Sequence, residues 1–217
     1  MAKVSANLIK QTALKLLANE PSLASLSLRT IATALKIDVS TIYWYFENKQ
    51  ALLQAMADYI ADQITFPDLN LSWQEQLTQL YTNTFNVYSQ YSHAAELMIS
   101  TVPSTKTRLQ LIDHSIGILV TAGFDEDQSN TAISSIDFLL TGLVIDLTTE
   151  NQFRTKITTK GDDYLAKQVK QIHSIAEKED LIHMQTSIKK RSERTPKKQF
   201  EEGMRLIIKG LSASNRG

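Results

Sequence analysis

The segment from residue 38 to residue 49 reads Asp-Val-Ser-Thr-Ile-Tyr-Trp-Tyr-Phe-Glu-Asn-Lys. Its positions 43 to 46 are four consecutive aromatic residues. Consecutive positions on an α-helix differ by about 100°, so these side chains spread around most of the helix, whereas a stripe that faces a protein core is only somewhat wider than about 100°. Some of the four aromatic side chains must therefore face water or a ligand.

Helical spacing divides this segment into two faces. Val39, Ile42 and Phe46 recur at i, i+3 and i+7, which predicts that they point inward. The outer face then carries aromatic and hydroxyl-bearing side chains: Ser40, Thr41, Tyr43, Trp44 and Tyr45. Such a face, with the positive charge of Lys49 beside it, suits the major groove of DNA and its phosphates.

The residues around the segment predict four helices between residues 1 and 66. Apolar residues recur at i, i+3, i+4 and i+7 after Ser27, which is a good N-cap. A turn over residues 36–38 leads to the aromatic helix, and Asn48 then caps a longer helix that ends before Pro67. Two helices separated by a three-residue turn form a helix-turn-helix candidate. We expect residues 1–48 to form one domain, with residues 48–66 as a connecting helix.

The rest of the chain also predicts helices, which makes the expected fold class all-α. Ser72 and Glu75 form a capping box that opens a helix to about Tyr91. The further helices are expected at residues 93–101, 104–122, 125–150, from 161 onward, and 200–211. We expect residues 68–217 to form one larger helical domain.

The helix-turn-helix segment resembles the DNA-binding signature of the TetR family of bacterial regulators. The resemblance lies in Ser-Leu-Arg-Thr-Ile-Ala at 27–32 and Ile-Tyr-Trp-Tyr-Phe-Glu-Asn-Lys at 42–49. It implies contacts to the DNA groove or backbone from nine residues: Ser27, Arg29, Val39, Ser40, Thr41, Tyr43, Trp44, Tyr45 and Lys49. One position differs, because Lys36 stands where the family usually has glycine. Lys36 must adopt left-handed backbone angles or form a slightly different turn.

Trp73 and the helix end at Ala122-Gly123-Phe124 resemble the ligand domain of the tetracycline-repressor subgroup. The resemblance implies a homodimer with an effector pocket lined by apolar and hydroxyl-bearing residues: Leu80, Thr84, Met98, Thr101, His114 and Phe138. Members that bind tetracycline hold its magnesium ion through histidines and a carboxylate. Thr65 and Met98 stand at matching positions here, which disfavours tetracycline. The four histidines lack paired metal-ligand spacing, so we expect no metal site and no cofactor.

Composition limits the class of protein. The chain has 217 residues, of which 42% are hydrophobic and 21% charged, as in globular proteins. It contains neither an uninterrupted apolar run of ~18 residues, as a membrane span needs, nor an export signal at its N-terminus, so we expect a soluble cytoplasmic protein. The absence of cysteine excludes disulfides and thiolate catalysis.

Charge is unevenly distributed although the formal net charge is zero. Residues 1–49 carry a small basic excess. Residues 189–198 carry six basic residues against Glu193 and show no apolar periodicity. We interpret this second segment as a solvated loop, with a second nucleic-acid-binding arm as the alternative.

The sequence therefore predicts a dimeric transcription repressor that binds an inverted-repeat operator and is released by a small, mainly apolar effector. We expect the dimer to form mainly through residues 125–150 and 200–211. An enzyme is disfavoured because the chain has no glycine-rich phosphate loop, nucleophile elbow or His-Glu-x-x-His pair. The alternative function is a helical module whose aromatic patch binds another protein.

Overall fold

The computed structural model describes residues 4–214 and, over those residues, contains eleven α-helices and no strand. The all-α prediction is confirmed. The helices are α1 (Ala6–Leu17), α2 (Leu28–Leu35), α3 (Val39–Tyr45), α4 (Lys49–Ala61), α5 (Trp73–Tyr88), α6 (Ala94–Ile99), α7 (Lys106–Thr121), α8 (Glu126–Lys160), α9 (Asp163–Lys178), α10 (Ile182–Glu193) and α11 (Pro196–Ser214).

Side-chain caps fix the starts of the N-terminal helices. Ser27 Oγ accepts the Thr30 N–H at 3.1 Å, and Asn48 Oδ1 accepts the Ala51 N–H at 2.8 Å. Asp38 caps α3 by accepting the Ser40 N–H at 2.8 Å. Each cap satisfies an amide that has no partner inside its helix. The caps therefore place the helix-turn-helix where the sequence predicts it.

The turn between α2 and α3 takes the first of the two predicted conformations. Lys36 adopts left-handed angles, φ 55° and ψ 44°, and its side chain is exposed. The Ile37 N–H donates to the Ala32 carbonyl at 3.1 Å, which satisfies a carbonyl at the end of α2. A non-glycine residue here costs about 1 kcal/mol, which the turn tolerates.

The long helix α8 is the central element of the C-terminal helices. It extends ten residues further than the predicted end at residue 150 and stops at Gly161, whose φ is +67°. It packs against α5, α6, α7, α9 and α11. At Gly203 of α11 an added Cβ would lie 2.8 Å from Leu139 Cδ2, so the absence of a side chain permits this close packing.

By length and composition α8 is also the one helix among the described residues that could cross a membrane. Its most apolar 18-residue window has a mean hydropathy of 1.5, and 33% of that window is buried within the chain. One such helix is weak support for a membrane span, because the core helix of a globular protein passes the same test.

Residues 189–198 are exposed, as predicted, but the predicted loop is wrong because all of them except Arg194 and Thr195 are helical. Residues 189–193 complete α10, and Pro196 occupies the first turn of α11, where its missing N–H costs nothing. Arg191 donates to Asp146 at 2.6 Å and to Glu150 at 3.4 Å, both on α8. The sequence pattern misled because α10 has no buried residue and hence no apolar period.

Candidate nucleic-acid interface and ligand cavity

The outer face of α3 is open to solvent. Trp44 is 80% exposed and Tyr43 is 53% exposed, and Ser40 is exposed beside them. On the opposite side Ile42 is 0% and Phe46 7% exposed, so both lie in the core as predicted. A seven-residue helix thus holds two large aromatic side chains in water while two apolar neighbours anchor it.

Tyr45 differs from the predicted outward position. It is half-buried and packs against the core, and its hydroxyl donates to the Val4 carbonyl at 2.8 Å. Its ring makes an edge contact with Trp44, with centroids 4.8 Å apart. Helical spacing could not show this, because the hydrogen-bond partner, Val4, precedes α1 and is 41 residues away in the chain. Val39 and Thr41 are half-buried as well.

The other predicted DNA-contacting residues flank α3. Arg29 on α2 is exposed, whereas the Ser27 hydroxyl is engaged in its cap. Lys49 is half-buried, and its Nζ donates to the Ala24 carbonyl at 2.9 Å. The Ser40 hydroxyl and N–H donate to Asp38 and lower the pKa of its carboxyl, so this cap remains negatively charged.

A cavity of about 240 Å³ lies among α4, α5, α6, α7 and α8. Three of the predicted pocket residues line it, namely Leu80, Thr84 and Met98. The hydroxyl of Thr101 is buried nearby, where it donates to the Leu97 carbonyl at 2.7 Å and accepts from Arg108 at 3.0 Å.

The structure does not bring His114 and Phe138 into this cavity. The His114 ring packs edge-on against Phe66 and lines a separate groove beside Trp73. Phe138 is 76% exposed on α8. The residue before it, Asp137, lines the cavity instead, because a shift of one position rotates the side chain by about 100° around the helix.

The polar groups of the cavity are the residues that sequence reasoning missed. The Tyr81 hydroxyl donates to Asp137 Oδ1 at 3.0 Å, and Tyr88 and Ser115 also line the cavity. Removal from water raises the pKa of the Asp137 carboxyl to about 6, although the Tyr81 hydrogen bond opposes the shift. Burial, followed by the negative charge of Asp137, raises the pKa of both tyrosines. A signal was present, since Ile133, Asp137 and Leu140 recur at i, i+4 and i+7 and therefore share one face of the predicted helix.

Arg108 joins the cavity to α4. Its guanidinium donates to the Thr101 hydroxyl and to the carbonyls of Met98, Thr101 and Val102, at 3.0 to 3.4 Å, and lies 3.7 Å from Asp58 of α4. Gln54 of α4 donates to the Val102 carbonyl at 2.6 Å and accepts from its N–H at 3.0 Å. Residues 98–105, which bear Met98, Ile99 and Pro103 of the cavity wall, are therefore bonded directly to α4.

Residues 4–214 contain no group of three or more His, Asp or Glu side chains that could hold a metal ion. At the position where the resemblance places a metal ligand in tetracycline-binding members, the Thr65 hydroxyl and carbonyl accept hydrogen bonds from the Asn83 side chain at 2.8 and 3.1 Å.

Two family models match the chain. The model for bacterial regulatory proteins of the tetR family matches residues 11–56, and the model for the tetracyclin repressor-like C-terminal domain matches residues 66–214. The chain belongs to the TetR family. It is therefore a transcription regulator with a helix-turn-helix and a ligand-responsive helical domain.

Individual relatives are distant. Tetracycline repressor protein class C of Escherichia coli is 25% identical over 214 residues, which cover 97% of this chain and 92% of the relative. Two solved structures share the fold. ActR from Streptomyces coelicolor in complex with actinorhodin has a TM-score of 0.75 and 21% identity, with 99% and 98% of the two chains covered. A TetR variant from Acinetobacter baumannii with minocycline has a TM-score of 0.68 and 22% identity, with 97% and 94% covered.

Proposed function

We propose that this TetR-family protein is a homodimeric repressor that binds an inverted-repeat operator and is released from it by a small, mainly apolar molecule. The observation that carries the proposal is the exposed aromatic face of α3, with Trp44 80% open to solvent on a capped helix-turn-helix. A large indole held in water costs free energy unless it has a binding partner, and the major groove of DNA admits a helix of this size.

DNA contacts are proposed for the nine residues that the family resemblance implies. Ser40, Tyr43 and Trp44 are exposed and would meet the groove, while Arg29 and Lys49 would meet bases or phosphates at its edge. Lys49 must leave or share the Ala24 carbonyl to reach a phosphate. Tyr45 supports the face from behind through its bond to Val4.

The proposed dimer forms through α8 and α11, which pack against each other and leave large apolar side chains exposed. Phe138 on α8 is 76% exposed and Leu206 on α11 is 67% exposed. Gly142 on α8 has open space above it, which would let a second helix approach closely. Two copies related by a two-fold axis would present two α3 helices to one side of DNA, so the operator should be an inverted repeat.

We propose that effector binding in the cavity moves residues 98–105, and that this segment in turn tilts α4 and releases the protein from DNA. Three wall residues, Met98, Ile99 and Pro103, belong to that segment, and Gln54 bonds the segment to α4. Helix α4 follows α3 directly, so a tilt of α4 would change the spacing of the two α3 helices in the dimer. The effector must bind the two spacings with different affinity, because only that difference can shift the equilibrium.

The fold similarity to proteins crystallised with actinorhodin and minocycline supports a small-molecule effector. The protein acts in the cytoplasm and joins the nucleoid when bound to DNA, and it catalyses no reaction. The alternative is a module that binds another protein through Trp44. The salt dependence of binding distinguishes this alternative from a DNA-binding regulator. Binding to duplex DNA should weaken steeply as salt rises, since phosphate contacts release condensed counterions.

The test is electrophoretic selection of bound sequences from random DNA duplexes, with sedimentation of the free protein at micromolar concentration. We expect a selected inverted repeat and a dimer. Trp44→Ala should remove binding, and Leu206→Asp should give a monomer that binds the operator weakly. Full-affinity protection of a single asymmetric half-site, or a monomeric wild-type protein, would contradict the proposal.

A further inference from the structure

The cavity contains a negative charge without a positive partner. Asp137 accepts one hydrogen bond, from Tyr81, and forms no ion pair with any residue between 4 and 214. The residue is exposed to solvent, yet its neighbours remove enough water from the carboxyl to raise its pKa. Opposite charge and further hydrogen bonds would offset that partial loss of hydration. Among residues 4–214, no positive charge pairs with this carboxylate.

The one cation that lines the cavity in the described part of the chain is already engaged. Arg108 is buried, and its guanidinium donates to four acceptors of residues 98–102 and lies 3.7 Å from Asp58. Moving it to Asp137 would break all four of these hydrogen bonds and remove the positive charge beside Asp58. Arg108 therefore stays with the segment that joins the cavity to α4.

The other titratable groups that face Asp137 cannot neutralise it. Tyr81 and Tyr88 on α5 carry no positive charge, and burial raises the pKa of both hydroxyls. No histidine lines the cavity in the described part of the chain, and His114 on α7 lies in the separate groove beside Phe66. The remaining wall is largely apolar and includes Leu80, Met98 and Leu140.

We propose that the effector is a lipophilic monovalent cation, whose positive charge pairs with Asp137 and whose apolar body fills the cavity against Leu80, Met98 and Leu140. This inference rests on the proposed function, since it names the ligand of the same cavity. Asp137, Ile99 and Ile112 line the cavity and are exposed to solvent, so they lie at its mouth. The charged end would stay near that opening while the apolar end lies inside.

Cavity size limits the ligand. A volume of about 240 Å³ is just below the ~300 to 1,000 Å³ usual for drug-sized ligands, which favours one or two rings. Suitable probes are benzyltrimethylammonium, benzyltriethylammonium and (1-naphthylmethyl)trimethylammonium. Each is compared with the neutral compound in which carbon replaces the nitrogen. The two members of a pair have nearly the same shape, so the difference in affinity isolates the charge.

The experiment measures binding of each pair to the full-length dimer by calorimetry, and operator affinity by fluorescence anisotropy with and without each compound. We expect at least one cation to bind tenfold or more tightly than its neutral counterpart and to weaken operator binding. Asp137→Asn keeps the acceptor for Tyr81 and should abolish that preference. The matched control is Asp127→Asn, which removes the same charge from the first turn of the same helix, outside the cavity wall, and should keep the preference.

The pH dependence of cation affinity is a second measurement. It would not change if Asp137 had only a structural role. The probes carry a permanent charge, so only the protein titrates. Because the pKa of Asp137 is raised to about 6, affinity for the cation should be constant above about pH 7 and fall as pH drops through 6. The Asp137→Asn variant should show a flat profile over the same range.

The outcomes separate this inference from the proposed function. Neutral compounds that bind as tightly as the cations, or an Asp137→Asn variant that keeps the preference, would overturn the cation assignment. The same holds if no cation of the panel binds. If a neutral molecule then released the protein from its operator, the proposed regulator would stand without a cationic effector. Cation binding that left operator affinity unchanged would overturn the effector role.

Discussion

The outer face of α3 comes from one seven-residue helix, whereas the cavity takes its wall from five helices between residues 61 and 141. On α3 the exposed Trp44 and the buried Ile42 are two residues apart, and helix geometry alone puts them on different sides. In the cavity Tyr81 and Asp137 meet at 3.0 Å although they are 56 residues apart in the chain. The comparison shows that a local surface follows from spacing along one helix, whereas a site shared by several helices depends on how those helices cross.

The two regions also differ in the environment of their functional side chains. The aromatic face of α3 is exposed to solvent, and its proposed partner is DNA. At the cavity, the Arg108 guanidinium is hydrogen-bonded within the chain, whereas Asp137 at the cavity mouth has no positive partner among the described residues. Substitutions in the first region should therefore affect DNA binding separately from stability, whereas those in the second should affect effector binding and coupling.

The largest expected effect tests the two sides of α3. Phe46→Ala should lower the free energy of unfolding by ~3 to 5 kcal/mol, because a buried ring is lost and a cavity remains. Trp44→Ala should lower it by no more than about 1 kcal/mol, since only the edge contact with Tyr45 is lost, yet it should abolish operator binding. Thermal and urea unfolding measure the first quantity and gel shift the second. Equal destabilisation by the two substitutions would refute the assignment of faces.

The next effect concerns the link between the two regions. Gln54→Ala removes two hydrogen bonds to Val102 and should reduce the coupling between effector and operator by about 1 kcal/mol, or roughly fivefold in affinity ratio. Gln50→Ala removes one bond, to the Ser100 carbonyl, and should reduce coupling less. Operator titrations with and without effector measure the ratio. Unchanged coupling in both variants would mean that another contact transmits the signal.

A smaller effect distinguishes two adjacent tyrosines. Tyr45→Phe loses the bond to the Val4 carbonyl and should destabilise the protein by ~0.5 to 1.5 kcal/mol. Tyr43→Phe is the matched control, because its residue is 53% exposed and its stability should not change. Urea unfolding of both variants gives the comparison. If Tyr43→Phe were the more destabilising, the roles of the two hydroxyls would be reversed.

The smallest effect concerns Lys49. Lys49→Ala should weaken binding to all DNA sequences and reduce the slope of log affinity against log salt by about one unit. The half-buried side chain also donates to the Ala24 carbonyl, so a slight loss of stability should accompany the change. Titrations at several salt concentrations provide the slope. Lys15→Ala on α1 is the control, and an identical slope in both variants would exclude Lys49 from the phosphate contacts.

Much of the fold could be predicted because its signals are local. Apolar residues at i, i+3 and i+4 indicate helices, and Ser27, Asn48 and Ser72 mark where three of them begin. The family motif lies in the same short range. The α10 helix was missed because it buries no residue, so the pattern that reveals other helices is absent from it.

The sequence by itself determined the helical class, the helix-turn-helix and the inward positions of Ile42 and Phe46, since each depends on neighbours within about two helical turns. Only the tertiary structure decided that Tyr45 bonds to Val4, that Asp137 rather than Phe138 lines the cavity, and that Arg108 is committed to residues 98–102. These features depend on helix crossing and rotation. A rotation of about 100°, the difference between adjacent residues, exchanges a solvent-facing side chain for one that lines a cavity.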